Sequence, residues 1–112
     1  DVFVLTSLRE ANSTVIFEAL AGGTPVITTA VSGMKDIIVN FKNGFKIEIH
    51  KDRQVMVQEL ADRILSLCDD IALRKNLNSG AIASAWDNSY SKRIELLIPI
   101  YATAFEDFYN IR

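Results

Sequence analysis

Apolar residues arrive first as a block and then as spaced stripes. Val2-Phe3-Val4-Leu5-Thr6 is an almost continuous apolar run, the pattern of a short strand buried on both faces in a parallel sheet. A polar loop follows from Ser7 to Asn12. Ser13 or Asn12 is placed to cap the next segment, because short polar side chains can accept from the free amides of a first helical turn. Thr14 to Ala21 then reads as a helix, with Val15, Ile16, Ala19 and Leu20 available for a buried face. Gly22-Gly23 ends it, since glycine accepts the left-handed conformation after a last turn. Pro25 prevents the helix from resuming.

Val26-Ile27-Thr28-Thr29 is rich in β-branched residues and predicts a second strand. A turn through Ser32-Gly33 leads to a short helical stretch near Met34 to Val39. Asn43-Gly44 is a turn signal. Phe45, Ile47 and Ile49 then alternate with Lys46 and Glu48, which predicts a third strand with one wetter face. From Arg53 the period becomes helical: Val57, Leu60, Ala61, Ile64, Leu65 and Cys68 fall three and four apart on one stripe. A second long helix is expected over Ile71 to Ala85. A third is expected from about Ser91 to Tyr109, with Ile94, Leu97, Ile98, Tyr101, Phe105 and Phe108 on one side and a kink or break at Pro99.

Strand, helix, strand, helix, strand, helices is the order of an α/β fold with a parallel sheet. The expectation is a single partial domain over residues 1–112: a Rossmann-like parallel sheet of about three strands with flanking helices. Three strands are few for such a sheet, and the first would leave an apolar edge unpaired. The sequence opens on what reads as a strand already under way. Both points predict further strands upstream, and self-association of this piece by itself.

Composition narrows the function. About half the residues are hydrophobic, 49%, and 23% are charged, which fits a globular domain and excludes a disordered one. A formal net charge of −2 argues against a dedicated nucleic-acid binder, which needs a basic stripe to displace counterions from phosphates. Cys68 is the only cysteine, so no internal disulfide forms, and a reducing compartment is expected. No apolar run approaches the ~20 residues of a membrane span.

The chemistry concentrates between Glu10 and Pro25. A loop leaves the carboxyl end of a strand and enters a helix N-terminus, the place where ligands bind in open α/β sheets. The first amides of that helix lack internal partners and the dipole adds partial positive charge, so a phosphate fits at Ser13, Thr14 and Val15. Glu10 precedes this anion site. Glu18 lies five residues past Ser13, roughly 7.5 Å along the helix. Carboxylates repel phosphate but accept from hydroxyls. A ligand with hydroxyls at both ends and a diphosphate between them matches this layout, as a nucleoside-diphosphate sugar does.

The two glutamates, separated by seven residues and followed by Glu18-Ala19-Leu20-Ala21-Gly22-Gly23-Thr24-Pro25-Val26-Ile27, resemble the signature of retaining glycosyltransferases with the GT-B fold, of the glycosyl transferases group 1 type. Ser32-Gly33 with Asp36, Asn43-Gly44 before a strand, and Ala85-Trp86 near the last helices continue the likeness. It spans essentially the whole chain, as the later half of the C-terminal nucleotide-binding domain. The resemblance implies that Glu10 is the catalytic-site residue that bonds hydroxyls of the transferred sugar. Glu18 would hold the ribose hydroxyls, and the amides of Thr14 and Val15 would meet the diphosphate at a turn shaped by Ser13. It further implies transfer with retention and no bound metal or cofactor. The partners would be a nucleotide-sugar donor, a sugar, lipid or protein acceptor, and an N-terminal domain of the same chain. The setting would be cytoplasmic, soluble or peripheral at the cytoplasmic face of a membrane. One departure stands out: Ala11 occupies the position where the family places glycine, which admits close approach of loop backbone to the sugar. The family's basic diphosphate pair and acceptor site lie upstream of Asp1, so this piece alone should not catalyse transfer.

Other features have plain readings. Gly22, Gly23 and Pro25 are backbone punctuation. His50 reads as an exposed loop residue with no nucleophile or metal-ligand spacing around it. Asp69-Asp70 reads as a solvated helix end. Cys68, Trp86, Tyr90 and Tyr101 read as packing residues. Two competing readings remain: a non-catalytic interaction module with the same fold, and a sugar phosphorylase or nucleotide-sugar epimerase on the same scaffold.

Overall fold

The alternation of periods produces alternating elements. The computed structural model describes residues 1–10 and 13–110. The order is β1 (Phe3–Leu5), α1 (Thr14–Ala21), β2 (Val26–Thr29), α2 (Met34–Ile37), β3 (Gly44–Ile47), α3 (Arg53–Asp69), α4 (Ile71–Asp87) and α5 (Tyr90–Asn110). The strands pair in parallel in the order β1-β2-β3, with Phe3 opposite Val26 and Ile27 opposite Phe45. All three carboxyl ends therefore meet at one edge of the sheet.

Period-two alternation splits the core in two. Val26 faces one side, where Ile16 and Leu20 of α1, Met34 of α2, Ile38 and Ala81 of α4 form a buried cluster. Ile27, Phe45 and Ile47 face the other, against Leu67 of α3 and Leu77 of α4. Fully burying each large aliphatic or aromatic side chain stabilises by about 1.5–3 kcal/mol.

The helix ends follow the sequence closely. α1 closes in a Schellman motif: Gly23 has φ +71°, its N–H donates to Leu20 O at 2.9 Å, and Thr24 N–H donates to Ala19 O at 2.9 Å. Asp52 and Asp70 cap α3 and α4 by accepting from the amides of Gln54 (2.9 Å) and Leu73 (2.8 Å). The Arg74 guanidinium donates to the carbonyls of Leu67 (2.6 Å) and Cys68 (2.9 Å), closing the far end of α3.

Asn43 does more than turn the chain. Its fully buried side chain accepts from Val39 N–H (2.8 Å) and donates to Ile37 O (2.9 Å) and to the Ser84 hydroxyl (2.8 Å). It so fixes the turn before β3 onto α4. The approach is close on both sides. A Cβ at Gly44 would lie 1.9 Å from Val26 O, and one at Gly80 would lie 1.8 Å from Lys42 O.

Several expectations need correction. β1 is shorter than Val2–Thr6, and Val4 is 38% exposed, so it is not buried on both faces. Ile49 lies beyond β3 and is exposed. On α3 the inward face is rotated: Leu67 is buried, and Met56, Leu60 and Ile64 pack with it, while Val57, Leu65 and Cys68 face outward. Trp86, Tyr90 and Tyr101 are exposed rather than packed. Pro99 does not break α5, which runs unbroken over 21 residues. The carbonyl of Pro99 accepts from the Thr103 hydroxyl at 3.0 Å. No residue of α5 is buried. The helix extends the molecule to 62 Å along its longest axis, against 33 and 18 Å across.

Candidate functional site

The carboxyl edge of the sheet carries the residues singled out by sequence. The loop after β1 is held to the neighbouring strand, because the Thr29 hydroxyl at the end of β2 donates to the carbonyl of Ser7. Glu10 follows on this loop and is half-buried. Ala11 and Asn12, one the departure from the family's glycine and the other a candidate cap, lie outside the described residues.

Ser13 occupies the N-cap position of α1, with extended backbone at φ −95° and ψ 106°. It is only 7% exposed. Its carbonyl accepts from Ile16 N–H at 3.3 Å, but its hydroxyl makes no capping bond. Capping by the Ser13 side chain, expected from its residue type, is therefore not what opens this helix. Thr14 is exposed, and so is Val15, expected on the buried face. The face that does bury holds Ile16 and Leu20. Val15 thus belongs to the outer flank of the first turn.

Glu18 is exposed and stands four residues after Thr14 and three after Val15. Residues at those spacings share a helix face. The structure therefore places Thr14, Val15 and Glu18 along one solvent-facing strip of α1, with Ser13 beneath its start and Glu10 on the loop that leads to it. Among the described residues no group of three or more His, Cys, Asp or Glu side chains could hold a metal ion.

Two features of this edge escaped the sequence. Arg93 of α5 sets its guanidinium 5.0 Å from the ring centroid of Phe17, bringing a cation against α1. No local pattern links positions so far apart in the chain. A cleft of about 400 Å3 also opens at the strand ends between the β1 loop and the start of α3. Thr6 and Thr29 line it where the strands stop, and His50 and Lys51 line it as well. His50 is exposed, as expected; its Nδ1 accepts from Asp52 N–H at 3.0 Å. A second cleft, of about 490 Å3, lies near Gly22 to Pro25, Arg74 and Lys75, at the opposite end of β2.

Residues 1–84 match the family model described as glycosyl transferases group 1. The chain belongs to this family.

Relatives of the chain include a D-inositol 3-phosphate glycosyltransferase of Pseudarthrobacter chlorophenolicus, 29% identical over 106 residues, covering 95% of the chain and 24% of that protein. The capsular polysaccharide biosynthesis glycosyltransferase CapM of Staphylococcus aureus is 32% identical over 109 residues, covering 96% of the chain and 27% of that protein. Among solved structures, a sucrose-phosphate synthase from Thermosynechococcus elongatus superposes with a TM-score of 0.71 at 25% identity, over 93% of the chain and 26% of the synthase. The likeness bears out the GT-B fold expected from the glutamate motif. The chain spans about a quarter of the length of the curated relatives it matches. No described helix is long and apolar enough to cross a membrane.

Proposed function

We propose that this chain supplies the donor half-site of a retaining glycosyltransferase, which moves a hexosyl group from a nucleoside-diphosphate sugar to an acceptor. The observation that carries the reading is the strip Thr14-Val15-Glu18 on α1, with Glu10 on the loop before it, at the carboxyl edge of a parallel sheet. Ligands bind at this edge in open α/β folds.

The roles follow from the chemistry of each group. The amides of Thr14 and Val15 meet the diphosphate, where the dipole of α1 offsets its charge. As the sugar departs, negative charge grows on the leaving diphosphate, and preorganised donors stabilise it. Ser13 sets the turn from beneath. Glu18 accepts from the ribose hydroxyls, and Glu10 accepts from hydroxyls of the sugar being transferred. The reaction needs no resident metal or cofactor in this reading. Transfer itself requires groups outside the chain: a basic partner for the diphosphate, an N-terminal domain and the acceptor. The setting is cytoplasmic, soluble or peripheral at a membrane face. The chain alone binds donor weakly and is inactive.

Ligand-observed NMR tests this with UDP, GDP and ADP and their common sugar conjugates, on the natural chain and on Glu18→Ala. The expected result is a signal for one nucleotide class that Glu18→Ala removes. Binding that survives the substitution, or silence from both the chain and its full-length parent, overturns the reading.

A further inference from the structure

The pairing of β1 with β2 stops one residue before the pairing of β2 with β3. Leu5 is the last residue of β1 in register, opposite Thr28, whereas Thr29 is still opposite Ile47 and Ala30 N–H donates to Ile47 O at 2.9 Å. Past Leu5, the loop that carries Glu10 has no backbone ladder to β2. The Thr29 side chain takes over there: its hydroxyl donates to the carbonyl of Ser7, 22 residues earlier in the chain. Thr29 is 1% exposed, and by period-two alternation it shares a sheet face with Ile27. Donor and acceptor both lie inside this piece, so the contact needs no other part of the protein. At the far end of the loop Ser13 is buried, and its carbonyl accepts from Ile16 N–H at 3.3 Å where α1 begins. The segment that presents Glu10 is thus held at both ends. Glu10 stands three residues past Ser7, within roughly 11 Å of extended chain.

We infer that Thr29 is a positioning residue for Glu10: its hydroxyl fixes where the loop leaves the sheet, and so where the Glu10 carboxylate meets the transferred sugar. This role rests on the donor reading above in taking a sugar as the ligand of Glu10. It divides the site into two supports. Thr14, Val15 and Glu18 are carried by α1, which is seated by the packing of Ile16 and Leu20. Glu10 is carried by the loop, which is seated by Thr29. A loop released from β2 has to be ordered when ligand binds, and that cost falls on the sugar contact alone. Loss of the Thr29 bond therefore weakens a nucleoside-diphosphate sugar and spares the free nucleoside diphosphate.

The test measures, by calorimetry on the full-length parent, dissociation constants for UDP, GDP and ADP and for UDP-glucose, GDP-mannose and ADP-glucose. The readout is the sugar preference, the ratio of the two constants within the nucleotide class that binds. Thr29→Val puts a methyl where the hydroxyl stands, Thr29→Cys leaves a weaker donor, and Thr29→Ser keeps the hydroxyl. The sugar preference should fall roughly 3- to 10-fold in Thr29→Val and less in Thr29→Cys, with Thr29→Ser and all free-nucleotide affinities within about twofold of the natural protein. In a Glu10→Gln background, Thr29→Val should change the preference no further, because it acts through that carboxylate. Equal loss of nucleotide and sugar conjugate, an unchanged preference, failure of Thr29→Ser to restore it, or additivity with Glu10→Gln overturns the positioning role. Where only Thr29→Val fails to fold, Thr29→Cys carries the comparison; failure of both to fold makes Thr29 a structural residue and overturns the role as well. Absence of any nucleotide or conjugate binding by the natural protein overturns the donor reading itself, so the two failures are distinguishable.

Discussion

The side-chain amide of Asn43 donates to the Ser84 hydroxyl at 2.8 Å across 41 residues of sequence, and it ties the turn before β3 to α4 inside the core. Replacing Asn43 by Ala also strands Ile37 O and Val39 N–H, its other two partners. Each buried polar group left unpaired costs about 1–3 kcal/mol. Asn43→Ala should therefore destabilise by about 3 kcal/mol in urea denaturation, and a loss below about 1 kcal/mol would show that the turn is held by other means.

Glycines of similar sequence context should respond oppositely. At Gly44 an added methyl meets the Val26 carbonyl at 1.9 Å, whereas at Gly22 its nearest neighbour is Ala19 O at 3.5 Å, an ordinary contact. Overpacking against backbone cannot be relieved by a rotamer change. Gly44→Ala should lose more than about 3 kcal/mol or fail to accumulate as folded protein, and Gly22→Ala should stay within about 0.5 kcal/mol. Thermal melts of the pair settle the matter; equal midpoints would contradict it.

Glu10 and Glu18 should separate by ligand. Hydrogen bonds to charged groups contribute about 1.5–3 kcal/mol, so Glu18→Ala should weaken a free nucleoside diphosphate roughly 10- to 100-fold. Glu10→Gln should leave the free nucleotide unaffected and weaken only its sugar conjugate. Melting temperatures should hardly move for Glu18→Ala, whose side chain is exposed. A Glu10→Gln variant that binds free nucleotide and sugar conjugate with equal loss would contradict the assignment.

The chain by itself should self-associate. β1 presents a free edge, and α5 exposes Leu97, Tyr101 and Phe105 at spacings of four along one side. Apolar area of this kind is removed from water by pairing. Light scattering should show mass rising with concentration, and Leu97→Lys/Tyr101→Lys/Phe105→Lys should lower it. A monomer at every concentration would refute this.

Legibility in the sequence was uneven for physical reasons. α1 was read with both ends correct, because Gly22-Gly23 and Pro25 leave few backbone alternatives, and the structure uses Gly23 in the left-handed conformation. α3 was located correctly but turned the wrong way. Val57-Leu60-Ile64 and Met56-Leu60-Ile64-Leu67 both satisfy helical spacing, and only the packing of the sheet decides between them. The same holds for Val15 on α1. Asn43 read as a mere turn residue because its partners lie on α2, its following segment and α4. The stripe on α5 reads like any core helix, and nothing local reveals that it buries no residue of its own. The glutamate motif is legible because it is contiguous; the cleft beside it gathers residues from the loop after β1, from β2, from β3 and the segment that follows it, and from α3, and leaves no such trace.

α1 is gripped from its far end. Ile16 and Leu20 are sealed against the sheet, and Asn78 of α4 donates to Gly23 O at 2.6 Å. Its opening turn, with Thr14 and Val15, is turned to solvent. The helix thus acts as a fixed post: if the proposed anion seats at its first turn, the amides of Thr14 and Val15 that receive it are held in place beforehand, and strengthening the body of α1 should raise stability and leave affinity where it was.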